Sequence, residues 1–366
     1  MPLELTTAGE SHGPALIAIL SGLPAGLEVV REKIDEDLYR RQQGYGRSPR
    51  QKLESDKVEI LSGLRHGRTL GTPLTLVVAN KDHKNWTWGM DPWPPQGEKQ
   101  GKGTKKVTLP RPGHADLSGV MKYDYEDVRN ALERASARHT AAIVAAGGVA
   151  KALLNTISVK VTSSVVAVGG VGGREGVRTA IDDARKDRDT LGGTVRVVAE
   201  GLPPGLGSYA TKSDRLDGRL AATLLGTQAV KSVDIGDGFK LASERGSAAH
   251  DEIFRDEQGF YRSTNRAGGI EAGMTNGEPV IVSCSMKPLP TLMRPLKSVD
   301  LETKEPGNAL VERSDVSAVE ALAVVAEAVV AYELAAAARE KFGGDSIGDF
   351  ITARDAYVER IDWSPR

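Results

Sequence analysis

Residues 15–27 read ALIAILSGLPAGL, and residues 194–206 read TVRVVAEGLPPGL. Each is an apolar, strand-like run that stops at Gly-Leu-Pro-x-Gly-Leu, where glycine and proline break the extended pattern. A stretch of helical character follows each copy, over 32–43 and over 215–230. Next comes a hairpin-like segment, LSGLRHGRTLGTPLTLVVA at 61–79 and AGMTNGEPVIVSCSM at 272–286. In both, a glycine turn and a Gly-x-Pro lead into a β-branched run. A long helix closes each half, over 125–154 and over 316–342. Four elements repeated in one order predict a duplicated unit. The expectation is therefore a single α/β (α+β) domain over 1–366. Its repeat halves run roughly 1–155 and 192–345, related by a pseudo-twofold axis, with helices at the core and sheets outside.

Composition narrows the function classes. The 366 residues carry a net charge of -1, with 40% hydrophobic and 27% charged residues. That balance argues against a nucleic-acid or membrane-surface protein held by a global basic field, so an anion site must come from local clustering of Arg and Lys. Cys284 is the only cysteine, which fits a reducing compartment. The first residues show neither a basic nor an apolar signal region, and a cytoplasmic location is expected. The apolar stretch 321–338 contains Glu327 and Glu333 and is rich in alanine; it reads as a buried helix of the core.

Two segments look irregular. Residues 80–113 are full of Lys, Gly, Pro and Trp, a length at which loops are usually lids or binding loops. Residues 169–176 read GGVGGREG. This misses the dinucleotide fingerprint because Glu175 stands where its third glycine belongs.

The residues able to carry chemistry are few. GESHG at 9–13 sets His12 in a glycine-flanked turn before a buried strand, where an imidazole can donate a proton near neutral pH. RPGHAD at 111–116 brings Arg111, His114 and Asp116 together at the end of the long loop. Arg40, Arg41, Arg47 and Arg50 cluster around Gly44 and Gly46, a spacing that lets guanidinium groups converge on a phosphate or carboxylate. Arg134 and Arg138 lie four apart on the expected long helix, where a bound anion would relieve their repulsion. The histidines show no metal-ligand spacing, so no metal is expected.

Taken in order, GESHG, RRQQGYGR, ILSG, RPGHAD, ERASAR, IGDGF, RAGGI and MKP closely resemble chorismate synthase, of the monofunctional bacterial type, over about 7–345. The resemblance implies a lyase of the shikimate pathway, in aromatic amino acid biosynthesis. It would eliminate phosphate from 5-enolpyruvylshikimate 3-phosphate by a 1,4-elimination, giving chorismate. Reduced FMN (FMNH2) would be required with no net redox change. The implied fold sandwiches long central helices between antiparallel β-sheets, in a homotetramer supplied with FMNH2 by an external flavin reductase.

By the same resemblance, His12 protonates departing phosphate, His114 sits near the flavin, and Asp345 accepts the ring proton. Arg41, Arg47 and Arg134 bind substrate, with Arg111 and Arg138 as additions. Flavin contacts fall on Arg134, Ala135, Ser136, Gln228, Ala229, Ala272, Lys287, Pro288, Leu289, Pro290, Thr291 and Arg313. His139, Gln228 and Ala272 depart from the residues usual in the family; a backbone contact tolerates alanine at 272 if its φ is negative. The competing readings are an NAD(P)H-dependent (NADP-linked) flavin reductase and a non-catalytic anion- or RNA-binding module.

Overall fold

The computed structural model describes residues 1–47, 55–94, 96–97, 101–311 and 315–365. The first half opens with β1 (Glu4–Ala8), β2 (Ala15–Ser21) and α1 (Arg31–Gln42), followed by β3 (Val58–Ser62). A short hairpin of β4 (Leu64–Arg65) and β5 (Arg68–Thr69) leads to β6 (Leu74–Ala79). These make an antiparallel sheet in the order β1-β2-β6-β3. Alternation decides its faces: Leu16, Ala18 and Leu20 of β2 and Leu74, Leu76 and Val78 of β6 are all buried. Helices α2 (Asp116–Tyr123), α3 (Arg129–Ala135) and α4 (Thr140–Asn155) complete this half.

The second half runs β7 (Lys160–Val168), α5 (Arg174–Lys186), β8 (Gly193–Glu200), α6 (Leu216–Leu225) and β9 (Val230–Ile235). After α7 (Gly246–Ala249) and a projecting hairpin, β10 (Ile253–Asp256) with β11 (Gly259–Arg262), comes the short hairpin of β12 (Ile270–Glu271) and β13 (Met274–Thr275). Then follow β14 (Val280–Met286), the pair β15 (Lys297–Val299) and β16 (Pro306–Asn308), and helices α8 (Val319–Phe342) and α9 (Ile347–Arg360). Its antiparallel sheet has the order β7-β8-β14-β9.

The Gly-Leu-Pro-x-Gly-Leu turns are tied down in the same way twice. Thr69 Oγ1 accepts from the Leu27 N–H at 3.0 Å and donates to the Pro24 carbonyl at 2.5 Å. Thr275 Oγ1 accepts from Leu206 at 2.8 Å and donates to Pro203 at 2.7 Å. The backbone bonds also match: Gly26 and Gly205 donate to the carbonyls of Thr69 and Thr275, and the Thr69 and Thr275 N–H groups donate to the carbonyls of Leu27 and Leu206. Both hairpins turn through two residues at positive φ, His66-Gly67 and Ala272-Gly273, as two-residue hairpin turns require. Ala272 therefore stands at φ 50, and the condition of a negative φ is not met.

Helix α4 packs on the first sheet and α8 on the second, and the two helices pack on each other between them. Small residues make that contact close. A Cβ at Gly147 would lie 2.3 Å from the Ala328 Cβ, so this crossing admits only glycine. Helix α8 is long and apolar enough to span a membrane, yet 94% of its apolar window is buried inside the molecule; alanine serves helix–helix contact here.

The single helix expected over 125–154 is broken. Ser136 is extended, with φ -63 and ψ 140, between α3 and a 3-10 turn at Ala137–His139, and its Oγ accepts from the Arg138 N–H. Serine competes with helical hydrogen bonding in this way. The loop after β6 has structure of its own: a 3-10 turn, Lys81–Asn85, precedes Trp86, which is 7% exposed. GGVGGREG turns at Gly169 and Gly170 and opens α5, with Gly173 at φ 76.

Candidate active site

A cavity of about 700 Å³ opens where α3 and α4 meet the ends of the two sheets. Ser11 and His12 line it from the β1–β2 connection, and Arg111, Gly113 and His114 from the segment before α2. Leu132, Ala135, Ser136 and Arg138 line it from the broken helix, and Gln228, Ala229, Lys287 and Asp315 from the second half.

His12 is fixed from several directions. Its backbone N–H donates to Glu133 Oε2 at 2.9 Å and its Nδ1–H donates to Glu133 Oε1 at 2.9 Å. Glu133, 3% exposed, also accepts from Arg129 at 3.2 Å. Burial would raise the Glu133 carboxyl, but hydrogen bonding and charge from His12, with the Arg129 charge, hold it below the usual carboxylate range. Trp86 stacks on the imidazole with ring centroids 3.9 Å apart and planes 21° from parallel. His83 Nδ1 donates to the His12 carbonyl at 2.9 Å.

His114 repeats the arrangement on another segment. Its Nδ1–H donates to Asp116 Oδ1 at 2.5 Å, and Arg111 Nε donates to Asp116 Oδ2 at 2.9 Å. Asp116 is 1% exposed. Burial works against its charge, but hydrogen bonds from His114 and Arg111 and the Arg111 charge hold it far below the usual range. Each histidine thus has a buried carboxylate behind Nδ1 and an arginine behind the carboxylate. Such a partner sets the tautomer and leaves Nε2 for chemistry.

The cavity's cations are backed in the same manner. Arg138 pairs with Asp56 at 2.6 Å and donates to Asn80 Oδ1, and Arg41 lies 3.5 Å from Asp56 and donates to Thr140 Oγ1. Arg47 pairs with Asp315 at 2.8 Å. Lys287 donates to the Gly113 carbonyl. Carboxylates at their backs make it possible to gather so many guanidinium groups around one cavity, since an unpaired buried charge is prohibitively costly.

On the second-half wall, Gln228 Nε2 donates to His139 Nδ1 at 2.8 Å, while its Oε1 is buried with no hydrogen-bond partner among the described residues. Burial, with the charges of Arg134 and Arg41, pushes His139 down to about 4; it is a neutral acceptor at pH 7. Ala229 holds the left-handed conformation, φ 70, at the cavity edge, the kind of local strain that a surrounding structure must enforce.

The structure brings most of the expected site residues together. His12, His114, Arg41, Arg47, Arg111, Arg138, Ala135, Ser136, Gln228, Ala229, Lys287, Leu289, Pro290 and Thr291 all line the cavity. Arg134 does not: the break at Ser136 turns it away, and it donates to the carbonyls of Gly9 and Thr7. Pro288 and Ala272 are also outside the lining, Ala272 in the distant β12–β13 turn. Arg313 and Arg50 lie outside the described residues. Asp345 is exposed and away from the cavity, because its segment turns to hydrogen-bond Ala25 in the first Gly-Leu-Pro turn. The carboxylate among the described lining residues is instead Asp315. Sequence reading also missed Glu133, Asp56 and Trp86. A signal existed for Glu133, four residues after Arg129 on one helix; none existed for Asp56.

The sequence model of one family, described as chorismate synthase, matches residues 3–338. The chain is 51% identical to a chorismate synthase of Desulforudis audaxviator, over 98% of each chain. It is also 51% identical to one of Thermoanaerobacter pseudethanolicus, over 97% of this chain and 98% of the relative. A crystal structure of a chorismate synthase superposes with a TM-score of 0.79 at 36% identity, covering 99% of both chains.

Proposed function

The chain belongs to the chorismate synthase family, and from that premise we propose how its cavity carries out the family's lyase reaction. The substrate is 5-enolpyruvylshikimate 3-phosphate, a trianion-bearing ring that loses phosphate and one ring proton to give chorismate. The observation that carries this reading is the convergence of two histidine–carboxylate pairs with Arg41, Arg47, Arg111, Arg138 and Lys287 on one cavity. A flavin reductase acting on NAD(P)H is not favoured, because the match to a lyase family runs the length of the chain.

The family implies a flavin, and the cavity lining fits one. Ala135, Ala137, Ala318, Ala321 and Leu322 form a face of small apolar side chains suited to a planar ring. Beside it, the buried Gln228 Oε1 offers an acceptor that the described residues leave unpaired. Ser136, Gln228, Ala229, Lys287 and Thr291 would hold reduced FMN, with His114 beside it. When bound, that group supplies electron density that eases phosphate loss and is recovered as the ring proton leaves.

The chain's own groups do the rest. The arginines and Lys287 orient and neutralise the carboxylates and phosphate. The C–O bond breaks with its electron pair going to phosphate, and His12 delivers a proton from Nε2 to the departing oxygen. Asp315, held by Arg47, stands as the carboxylate able to take the ring proton in the role first expected of Asp345. The two electrons of the C–H bond complete the new double bond, so the elimination is redox-neutral. We extend the proposal to a homotetramer and a cytoplasmic location, with an external flavin reductase supplying FMNH2; the family resemblance supports these. Sedimentation at a mass other than four 39.0 kDa chains would refute the tetramer.

The deciding assay is anaerobic, with chemically reduced FMN and 5-enolpyruvylshikimate 3-phosphate, following chorismate and phosphate together. Equal release of both, absent with oxidised FMN, is expected. NADPH oxidation with FMN and no chorismate would instead establish the reductase.

A further inference from the structure

We propose that Glu133 and Trp86 are positioning residues for His12: Glu133 fixes which ring nitrogen carries the free proton, and Trp86 fixes the plane of the ring. The proposal rests on His12 as the proton donor and deepens that reading.

Three contacts carry it. Glu133 grips the backbone N–H and Nδ1–H of His12 with one carboxylate, at 2.9 Å each. An ionised carboxylate only accepts, so Nδ1 must be the donor and Nε2 is the nitrogen left for substrate. Trp86 covers a face of the imidazole at 3.9 Å, and Arg129, which binds Glu133, also lies over the Trp86 ring at 4.8 Å. The indole therefore belongs to the same cluster as the carboxylate. Trp86 is itself pinned: its Nε1–H donates to Asp82 at 2.9 Å, and Lys102 holds Asp82 at 3.1 Å. The charged and titratable groups around His12 are thus Glu133, Arg129 and, through Trp86 and the backbone, Lys102, Asp82 and His83.

Location excludes a role in binding. Neither Glu133 nor Trp86 lines the cavity, whereas His12 does. They act behind the ring. A buried glutamate that served packing alone would have no need to meet both N–H groups of one residue. A general acid misplaced by about 1 Å loses on the order of 100-fold in rate, so this support is catalytic in effect.

The test reads the tautomer directly. Full-length protein labelled with 15N-histidine is examined at a pH where the His12 ring is neutral, with His12→Gln identifying its signals. The wild-type ring should carry its proton on Nδ1, against the Nε2–H preference of the free histidine side chain. In Glu133→Ala the proton should move to Nε2, while Glu133→Gln, which keeps an acceptor oxygen, should retain the Nδ1–H form. In turnover, Glu133→Gln should lower kcat about tenfold or more with KM within about threefold, since the charge that supports the imidazolium is gone. Trp86→Leu should lower kcat by roughly three- to tenfold, and Trp86→Phe, which keeps a stacked ring, should recover most of it. An Nδ1–H ring in folded Glu133→Ala overturns the proposal, as does wild-type kcat in Glu133→Gln, the variant to read where alanine does not fold. The tautomer is measured without turnover. Failure of the underlying reading, seen as normal kcat in His12→Ala, is therefore distinguishable from failure of this one.

Discussion

The β1–β2 connection and the β7–β8 connection occupy the same place in two frames built alike, yet they do different work. Between β1 and β2 the chain makes a short turn, Gly9 to Pro14, that delivers His12 to the cavity. Between β7 and β8 it makes the whole of α5, which meets the tip of the arginine loop: Tyr45 donates to Asp182, and Ile181 packs under Gly46. The first connection brings His12 to the cavity, and the second supports the segment that carries Arg47. A repeated frame gives two equivalent places to mount side chains, and only a local difference in length and composition decides which one holds chemistry.

The largest test of that contrast is His12→Ala. Loss of a general acid costs about 100- to 10,000-fold in kcat, and a matching substitution in the β7–β8 turn, Val171→Ala, should leave kcat within about twofold. Rates are measured in the anaerobic chorismate assay. A comparable loss from Val171→Ala would show that the second connection is chemical as well.

The frames themselves should respond alike. Thr69→Val and Thr275→Val each strip a buried hydroxyl that accepts one N–H and donates to one carbonyl. Leaving such groups unpaired costs roughly 1–3 kcal/mol. Urea unfolding should give losses that agree within about 1 kcal/mol of each other. A loss confined to one of the two would mean that the matched hydrogen bonds do not carry matched energy.

A third test lies where the halves meet, at the His139–Gln228 hydrogen bond. His139 is pushed down to about 4 from an ordinary 6.5, so the unfolded chain takes up a proton at higher pH than the folded one. Stability tied to this residue is therefore complete above about 6.5 and is lost as pH falls toward 4. After discounting for partial exposure, the loss is roughly 1–2 kcal/mol. His139→Gln should flatten the slope of unfolding free energy against pH across that window. An unchanged slope would place the acid sensitivity elsewhere.

Much of this architecture was readable from the chain. Gly-Leu-Pro-x-Gly-Leu marked both frames because proline and glycine dictate turns whatever surrounds them, and both glycine-flanked histidines line the cavity. What could not be read was set by distance. Asp56 beneath Arg138 and Trp86 on the face of His12 are brought there by packing, with no local pattern to announce them, and the spacing of Glu133 from Arg129 shows a helix pair but not the histidine it backs. The break at Ser136 was hidden because a helical composition runs straight through it, and it sent Arg134 to backbone carbonyls instead of the cavity. Gly-Gly-Asp promised an exposed turn, which it is; that turn bonds to Ala25, and the carboxylate among the described lining residues is Asp315.

The smallest expected effect is the most informative about what the second connection contributes. Tyr45→Phe removes the hydroxyl that donates to Asp182 at 2.8–2.9 Å but keeps the ring under Arg178 and Arg185, whose guanidinium groups lie 5.3 and 5.5 Å from its centroid. The bond is exposed, so its loss should cost about 0.5 kcal/mol, the lower end for hydrogen bonds. If α5 acts as a brace on the loop bearing Arg47, the variant should raise KM by about twofold with kcat unchanged, because substrate binding loosens while the proton donor is untouched. If KM stays at the wild-type value while stability falls, α5 supports the fold and not the site. In that case the division of labour between the two connections is complete: one brings His12 to the cavity, and the other supports only the fold.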